Sequence, residues 1–220
     1  MNKVVLAYSG GLDTSVAVAW LREQHGAEVV TLTVDLGGGS VREGVERRAM
    51  SAGASRSYVV DGRETFISRY VWRALQANAI YQGAYPLATA LARPLLAQLL
   101  VEVAQKEGAD AVAHGCTGKG NDQVRFDVAV HALDPGLEVV APMRVGMGLT
   151  RDQEIDYAAE RGIEIPITKA SPYSIDVNLW GRSCETGVLE DPWVTPPPDA
   201  YEWTVPAGEA PDPVEVNISF

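Results

Sequence analysis

The residues near the start of the chain that could do chemistry form a glycine loop, Ser9-Gly10-Gly11-Leu12-Asp13-Thr14-Ser15. Its two glycines let the backbone approach a ligand closely and present N–H groups to it. The hydroxyls of Ser9, Thr14 and Ser15 can donate hydrogen bonds to anionic oxygens. A predicted helix begins within the loop, and the positive end of its dipole favours negative charge. The loop therefore predicts a site for the pyrophosphate part of a nucleotide.

This loop differs from the two commoner glycine fingerprints. It lacks the Lys-Ser/Thr ending of the nucleoside-triphosphatase P-loop and the Gly-x-Gly-x-x-Gly spacing of dinucleotide-binding proteins. A plain turn, with Asp13 or Thr14 capping the helix, is the alternative, but the full string directly after a predicted strand favours phosphate binding. Asp13 itself has two open roles, because a carboxylate here could hold Mg²⁺ through water or cap the helix.

A second glycine-spaced segment runs from His114 to Phe126, with three glycines in six positions. Its polar groups are a hydroxyl, an ammonium, an amide, a carboxylate and a guanidinium: Thr117, Lys119, Asn121, Asp122 and Arg125. Asn121 and Arg125 are four residues apart, so they share one face of a helix. Arg125 could pair with an α-carboxylate and Asp122 with an ammonium group, which suits a zwitterionic amino acid. The alternative is a solvated helix start whose charges pair with each other.

The elements that position both loops are apolar strands alternating with helices. Predicted strands cover Val4–Ala7, Val29–Val34, Ser57–Val60, Ala111–Ala113 and Val139–Ala141. Predicted helices cover Asp13–Gln24, Val41–Ala52, Glu64–Ala79, Leu87–Glu107, a segment entered near Asp122, and a capping-box helix from Thr150 to Arg161. This α/β alternation predicts an open parallel sheet with helices on both faces. In such sheets ligands bind at the carboxyl ends of the strands, where the glycine loop lies.

Prolines dominate the chain after Gly162, so regular helices are not expected there. We predict an α/β domain over 1–165, then a proline-rich loop region and an extended tail over 166–220. Within the tail, Val214–Ile218 alternates in the manner of a strand.

Composition argues against some classes of binding partner. A formal net charge of -11 argues against a nucleic-acid partner, which usually needs a basic surface. No apolar stretch is long enough for a membrane helix, no signal-peptide pattern is present, and two cysteines make no disulfide framework, so we expect a cytoplasmic protein with no membrane partner.

Cys116 and Cys184 are interpreted as packing residues rather than thiolation nucleophiles. His114 either approaches a phosphate or ends a strand.

Taken as a pair, the segments Ala7–Ser15 and His114–Phe126 resemble the argininosuccinate synthetases, a family of the ATP pyrophosphatase group. Further similar segments are Tyr85, Leu91–Pro94, Ile165–Thr168, Pro172–Leu179 and Leu189–Pro192. The resemblance implies a Rossmann-like fold of the adenine nucleotide α-hydrolase type. It also implies the ATP- and Mg²⁺-dependent ligation of citrulline and aspartate through a citrullyl-adenylate, with release of AMP and pyrophosphate, by a homotetramer.

The same resemblance implies roles for particular residues. ATP would contact Ala7, Tyr8, Ser9, Gly10, Gly11, Leu12, Asp13, Thr14, Ser15, Val34 and Gly115. Citrulline would contact Tyr85, Asn121, Arg125, Ser174 and Ser183. Aspartate would contact Thr117, Asn121 and Asp122, and Asp13 and Asp122 are the predicted catalytic residues.

Two departures from the family pattern matter. Ala90 stands where some members have serine, and members are longer than this chain, so further citrulline contacts, a synthetase domain and an oligomerising helix are expected beyond Phe220. Two other hypotheses stay open. One is another adenylating ATP pyrophosphatase, such as a tRNA thiolase or an amidotransferase synthetase, and the other is a nucleotide-binding module without full activity.

Overall fold

The computed structural model describes residues 1–41, 43–118, 120–165, 173–210 and 212–219. Its main sheet contains β1 (Lys3–Ala7), β2 (Glu28–Asp35), β3 (Arg56–Asp61), β4 (Ala111–Ala113) and β5 (Glu138–Val140). These strands lie in the order β3-β2-β1-β4-β5, and every neighbouring pair is parallel. The predicted open parallel sheet is therefore confirmed.

Helices connect the strands. They are α1 (Leu12–His25), α2 (Val45–Ser51), α3 (Arg63–Thr65), α4 (Trp72–Gln76), α5 (Ala88–Glu107), α6 (Asp122–Leu133) and α7 (Arg151–Glu160), with a π-helical segment at Phe66–Val71. The predicted capping box is present, because Thr150 and Gln153 exchange side-chain and backbone hydrogen bonds at the start of α7. The prediction of a helix from Val41 was wrong, since α2 begins only after Gly44, whose φ of 69° lies outside the helical region.

Both faces of the sheet are buried, which explains why its strands read as continuous apolar runs. On one face Val4 and Leu6 pack with residues of α1, α2 and α7, and on the other Val5 packs with residues of α5 and α6. Alternate residues of β1 thus enter two separate cores, as the two-residue period of a strand requires.

The position of β1 between β2 and β4 creates the crevice that matters for function. From β1 the chain builds outward through β2 to β3, then returns to place β4 on the other side of β1. The connections that leave β1 and β4 therefore diverge at their carboxyl ends, which is the switch point where ligands bind in this class of sheet. The glycine loop follows β1 and the second glycine-spaced segment follows β4.

The chain forms two compact units: Met1–Thr168 with Asp176–Ser183, and Lys169–Ile175 with Cys184–Phe220. Contrary to the prediction of loops only, β6 (Ser174–Asn178) and β7 (Gly181–Glu185) form a two-stranded sheet. The strand predicted at Val214–Ile218 is not formed in residues 212–219. Its side chains are exposed and have no neighbouring strand to pair with, so the alternating pattern alone cannot stabilise it.

Short 3₁₀ turns at Gly187–Glu190, Pro198–Ala200 and Ala207–Glu209 complete the second unit. No helix among the described residues has both the length and the apolar character to cross a bilayer.

Candidate active site

The glycine loop joins β1 to α1 and leaves the start of that helix uncapped by any side chain. Gly11 is the N-cap residue, and it offers no side-chain acceptor to the N–H groups of the first turn. The first N–H groups of a helix have no partner within the helix, so they can bind an anion. The capping role considered for Asp13 is therefore not present in the structure.

Hydroxyl groups hold the loop in shape. Ser15 Oγ donates to the carbonyl of Gly11 at 2.7 Å and lies 2.8 Å from the hydroxyl of Tyr8. Ser9 Oγ and Thr14 Oγ1 are 3.1 Å apart. From the neighbouring strand, Thr33 donates to the carbonyl of Tyr8 at 2.8 Å. These bonds pre-form the loop, so the backbone does not have to be ordered when a ligand arrives.

Two glycines are required by the packing of the loops. Gly10 has a φ of 72°, and a Cβ there would lie 3.0 Å from Val45 Cγ2. A Cβ on Gly115 would lie 2.9 Å from Thr14 Cγ2, which places the second segment directly against the first loop. A Cβ on Gly11 would contact only Ser9 Oγ, at 3.3 Å. A Cβ at Gly11 would therefore be less crowded than one at either of the other two positions.

Asp13 lies next to a buried carboxyl group on α7. Glu154 is only 3% exposed and shares a hydrogen bond with Asp13. Burial, followed by the neighbouring negative charge of Asp13, raises the pKa of Glu154 to about 8. Both causes favour the protonated, neutral form of Glu154 at neutral pH.

His114 ends β4 and has no spare nitrogen for a phosphate. Its Nδ1 accepts from the backbone N–H of Cys116 at 3.2 Å, so its Nε2 carries the proton that Asp127 accepts, also at 3.2 Å. The ring is 1% exposed and stacks on Phe126 with centroids 5.1 Å apart. Burial lowers the pKa of His114, which keeps the ring neutral. Of its two open roles, the structure supports the strand end.

Asp122, at the start of α6, is held by two arginines. Arg93 Nε donates to Asp122 Oδ2 at 2.8 Å, and Arg125 Nη1 donates to Asp122 Oδ1 at 2.7 Å. Arg93 also pairs with Asp176 of β6. In this structure Arg125 and Asp122 pair with each other, which is the alternative that the sequence left open. A zwitterionic ligand would therefore have to form its ion pairs with side chains that already pair with each other.

Tyr85 and Ser183, two of the residues predicted for citrulline, lie together at the start of α5. Their oxygens are 3.4 Å apart, and Thr89 joins them, since its N–H donates to Tyr85 at 3.1 Å and its hydroxyl lies 2.9 Å from Ser183. The backbone near Ser183 is fixed to the same place by Asn178, whose amide donates to the carbonyl of Ala88 at 3.0 Å.

The remaining predicted residues are dispersed. Asn121 is the exposed N-cap residue of α6, Thr117 is also exposed, and Val34 is buried near the end of β2. Ser174 belongs to the second unit, where its N–H donates to Thr186 at 2.9 Å. Lys119 and the predicted segment 166–172 lie outside the described residues.

Sequence reasoning gave no role to Arg48 beside the glycine loop, to Arg93 beside the second segment, or to Thr89 between Tyr85 and Ser183. Arg93 stands just before Pro94 within an apolar helix, and a charge in such a place is a signal for a buried ion pair. Arg48 shares the inward face of α2 with Val45, three residues earlier, so it also occupies an apolar position.

The comparisons with known proteins agree with this fold. The family model described as "Arginosuccinate synthase N-terminal HUP domain" matches residues 3–164, which defines the chain as an α/β protein of the HUP class. A second model, "Arginosuccinate synthase C-terminal domain", matches residues 173–220. The chain belongs to the argininosuccinate synthase family.

Curated relatives extend over the whole chain. It is 57% identical to the argininosuccinate synthase of Symbiobacterium thermophilum and 58% identical to that of Bacillus pumilus, in each case over 100% of this chain. It spans about half the length of these relatives, 55% and 54% respectively. A crystal structure of NAD+ synthetase from Burkholderia Pseudomallei is 19% identical with a TM-score of 0.48, covering 78% of this chain and 70% of that one.

Proposed function

We propose that the protein to which this chain belongs makes argininosuccinate from citrulline, aspartate and ATP. The ureido oxygen of citrulline attacks the α-phosphorus of ATP and displaces pyrophosphate. The amine of aspartate then attacks the citrullyl-adenylate and releases AMP. As in the sequence-based expectation, the site belongs to a cytoplasmic homotetramer.

One observation carries the proposal: the glycine loop and the second glycine-spaced segment touch at the switch point of the sheet. The 2.9 Å spacing between Thr14 and a Cβ on Gly115 leaves only glycine there. The uncapped start of α1 supplies N–H donors beside the same point. Backbone donors in a crevice between strands favour a nucleotide phosphate chain.

The proposed citrulline site begins at the hydroxyl cluster of Tyr85, Thr89 and Ser183. Hydroxyls both donate and accept, so this cluster suits the ureido group, which carries N–H donors and a carbonyl acceptor. Arg125 then binds the α-carboxylate of citrulline, and Asp122 binds the ammonium group of aspartate, with Thr117 and Asn121 as further contacts. The ion pair between Arg125 and Asp122 keeps these two side chains oriented until the substrates bind.

Mg²⁺ fits this site only as a partner of the phosphates. Among the described residues no three His, Cys, Asp or Glu side chains cluster to hold a metal by themselves. Magnesium commonly binds through one or two carboxylates together with phosphate oxygens and water. Asp13 is the carboxylate of the glycine loop that could meet it, and the ion would offset negative charge on the leaving pyrophosphate.

The protein supplies orientation rather than a covalent nucleophile. Burial raises the pKa of the Cys116 thiol to about 11, so this thiol is not ionised at neutral pH and does not favour the thiolation alternative. Holding reactants in line can lower a barrier by roughly 7–11 kcal/mol in favourable cases. Fixed N–H donors at the loop add stabilisation where charge develops on phosphate oxygens.

Isotope transfer tests the chemistry. With citrulline labelled by ¹⁸O in the ureido group, the purified protein should place the label in the phosphate of AMP. ATP–pyrophosphate exchange should depend on citrulline. Exchange that instead depends on tRNA would identify a thiolase, and ATP binding with neither exchange nor AMP release would identify a nucleotide-binding module.

A further inference from the structure

Arg48 is a buried arginine on α2. Only 8% of it is exposed, and it shares the inward face of the helix with Val45. The adjacent Arg47 has the usual surroundings of an arginine, because its side chain is 74% exposed and pairs with Glu164 at 3.2 Å. Two neighbouring residues of one type thus occupy opposite environments.

The guanidinium of Arg48 has an open edge. Nη1 donates to the carbonyl of Glu43 at 2.6 Å, whereas Nε and Nη2 are buried and have no hydrogen-bond partner among the described residues. Among the described residues, no carboxylate forms an ion pair with Arg48. A buried cation without a counter-charge is strongly unfavourable, so binding of an anion beside Arg48 would stabilise the folded protein.

The same edge of another arginine shows what it can bind. Arg63 uses Nε and Nη2 to hold the two carboxylate oxygens of Asp61, at 2.9 and 2.6 Å. These two N–H groups point in parallel, which matches two oxygens of one carboxylate or phosphate. In Arg48 this pair of donors is unused.

The open edge lies against the glycine loop. Nη2 is 3.1 Å and Nε is 3.7 Å from the point where a Cβ on Gly10 would stand. Only a glycine at position 10 lets the guanidinium come this close, and the positive φ of Gly10 independently favours glycine. A two-donor cation and the loop proposed to hold pyrophosphate therefore share one location.

From this geometry we infer that Arg48 is a phosphate-binding residue of the glycine loop, whose Nε–H and Nη2–H groups bind oxygens of the pyrophosphate part of the nucleotide. The inference rests on the proposed function, because it names a further contact of the same site. Its ligand class is a magnesium-bound diphosphate or triphosphate.

Calorimetric titration tests this contact with three probes: Mg²⁺-pyrophosphate, Mg²⁺-ATP and adenosine. We expect Arg48→Met to weaken both phosphate ligands by roughly tenfold to a hundredfold, the usual range for losing hydrogen bonds to a charged group, while adenosine binds as before. Arg47→Met is the matched control, since it removes the same charge from the same helix, and it should keep all affinities within about twofold.

Unfolding curves separate binding from a structural role. Without ligand, Arg48→Met should melt at or above the temperature of the unmodified protein, because it removes an unpaired buried charge. A merely structural arginine would instead lower the melting temperature and weaken adenosine together with pyrophosphate. Arg48→Lys keeps the charge without the paired donors and should bind pyrophosphate with intermediate affinity, which gives a second reading if the methionine variant does not fold.

Pyrophosphate affinity within about twofold of the unmodified protein in both Arg48 variants would overturn the inference and leave the proposed function standing. If the unmodified protein itself binds neither pyrophosphate nor ATP, the proposed function fails, and the role of Arg48 fails with it.

Discussion

The two loops at the switch point differ in how their charged groups are satisfied. Around the glycine loop, the buried guanidinium of Arg48 has two nitrogens, Nε and Nη2, without a hydrogen-bond partner among the described residues. Around the second segment, His114, Asp127 and Arg144 form one bonded set, and Arg93, Asp122 and Arg125 form another. The first loop thus leaves charge for a ligand to satisfy, whereas the second is already organised by its own ion pairs.

This difference suggests how the two loops divide the work. A phosphate chain carries enough charge to compensate an unpaired guanidinium, so the glycine loop can gain binding energy directly. Citrulline is neutral overall and would have to insert into ion pairs that exist already. Its recognition then depends on the geometry of those pairs more than on their charge.

The largest expected effect comes from filling the glycine loop. Gly11→Val should reduce ATP binding by more than about a hundredfold, because the side chain would occupy the approach to the backbone N–H groups. The fold should persist, since Gly11 has a φ of -83° and open space apart from Ser9. Titration with ATP and a circular dichroism spectrum check both parts, and normal ATP affinity would show that this loop is not the phosphate site.

Removing the arginine that holds the second loop should destabilise the fold. Arg93→Met leaves Asp176 without this half-buried ion pair and Asp122 with Arg125 alone, at a cost of about 2–4 kcal/mol in the free energy of unfolding. Urea denaturation measures it. Arg63→Met is the matched control, because its pair with Asp61 is exposed to solvent and should contribute much less to the free energy of unfolding. Equal losses of unfolding free energy in Arg93→Met and Arg63→Met would show that the half-buried and the exposed ion pairs contribute alike.

The carboxyl pair beside the glycine loop predicts a pH dependence. Because the pKa of Glu154 is raised in the folded protein, the folded state binds a proton that the unfolded state has lost, so stability falls as the pH rises from about 4.5 towards about 8. Between about pH 6 and pH 8 this group should cost roughly 2 kcal/mol. Glu154→Gln cannot ionise and should flatten this part of the profile. A profile identical to that of the unmodified protein would show that Glu154 titrates normally.

The smallest expected effect concerns substrate selection at the second loop. Arg125→Ala should weaken citrulline binding about tenfold, which is about 1.4 kcal/mol, with ATP affinity unchanged. Separate titrations of the two ligands measure this split. Unchanged citrulline affinity would remove Arg125 from the site and leave its pair with Asp122 as a structural feature only.

Much of the fold could be predicted because its signals are local. Apolar runs such as Val29–Val34, helices ended by Gly26 or Gly108, and the Thr150 capping box each depend on a few adjacent residues. Order of the strands in the sheet is not local, and neither is the contact of Gly115 with Thr14. The failed strand at Val214–Ile218 shows the converse, since a local pattern without a partner makes no sheet.

Only part of the candidate site could be expected from the sequence, for the same reason. Glycines and hydroxyls adjacent in sequence mark the glycine loop as a candidate phosphate site, whereas Arg48 and Glu154 reach the loop from α2 and α7. Burial of such charged groups becomes visible only in three dimensions. In the sequence, Arg48 and Glu154 cannot be told apart from the exposed charged residues of the same helices.

The contact between Gly115 and Thr14 also bears on redesign of this protein. The methyl group of Thr14 packs against Gly115, and Thr14 Oγ1 lies 3.1 Å from Ser9 Oγ, so neither contact involves the hydroxyl cluster of Tyr85, Thr89 and Ser183. Randomising Thr89 and Ser183 could therefore alter which ureido compound is accepted, with ATP use retained. Substitution of Gly115, even by alanine, would change both properties together.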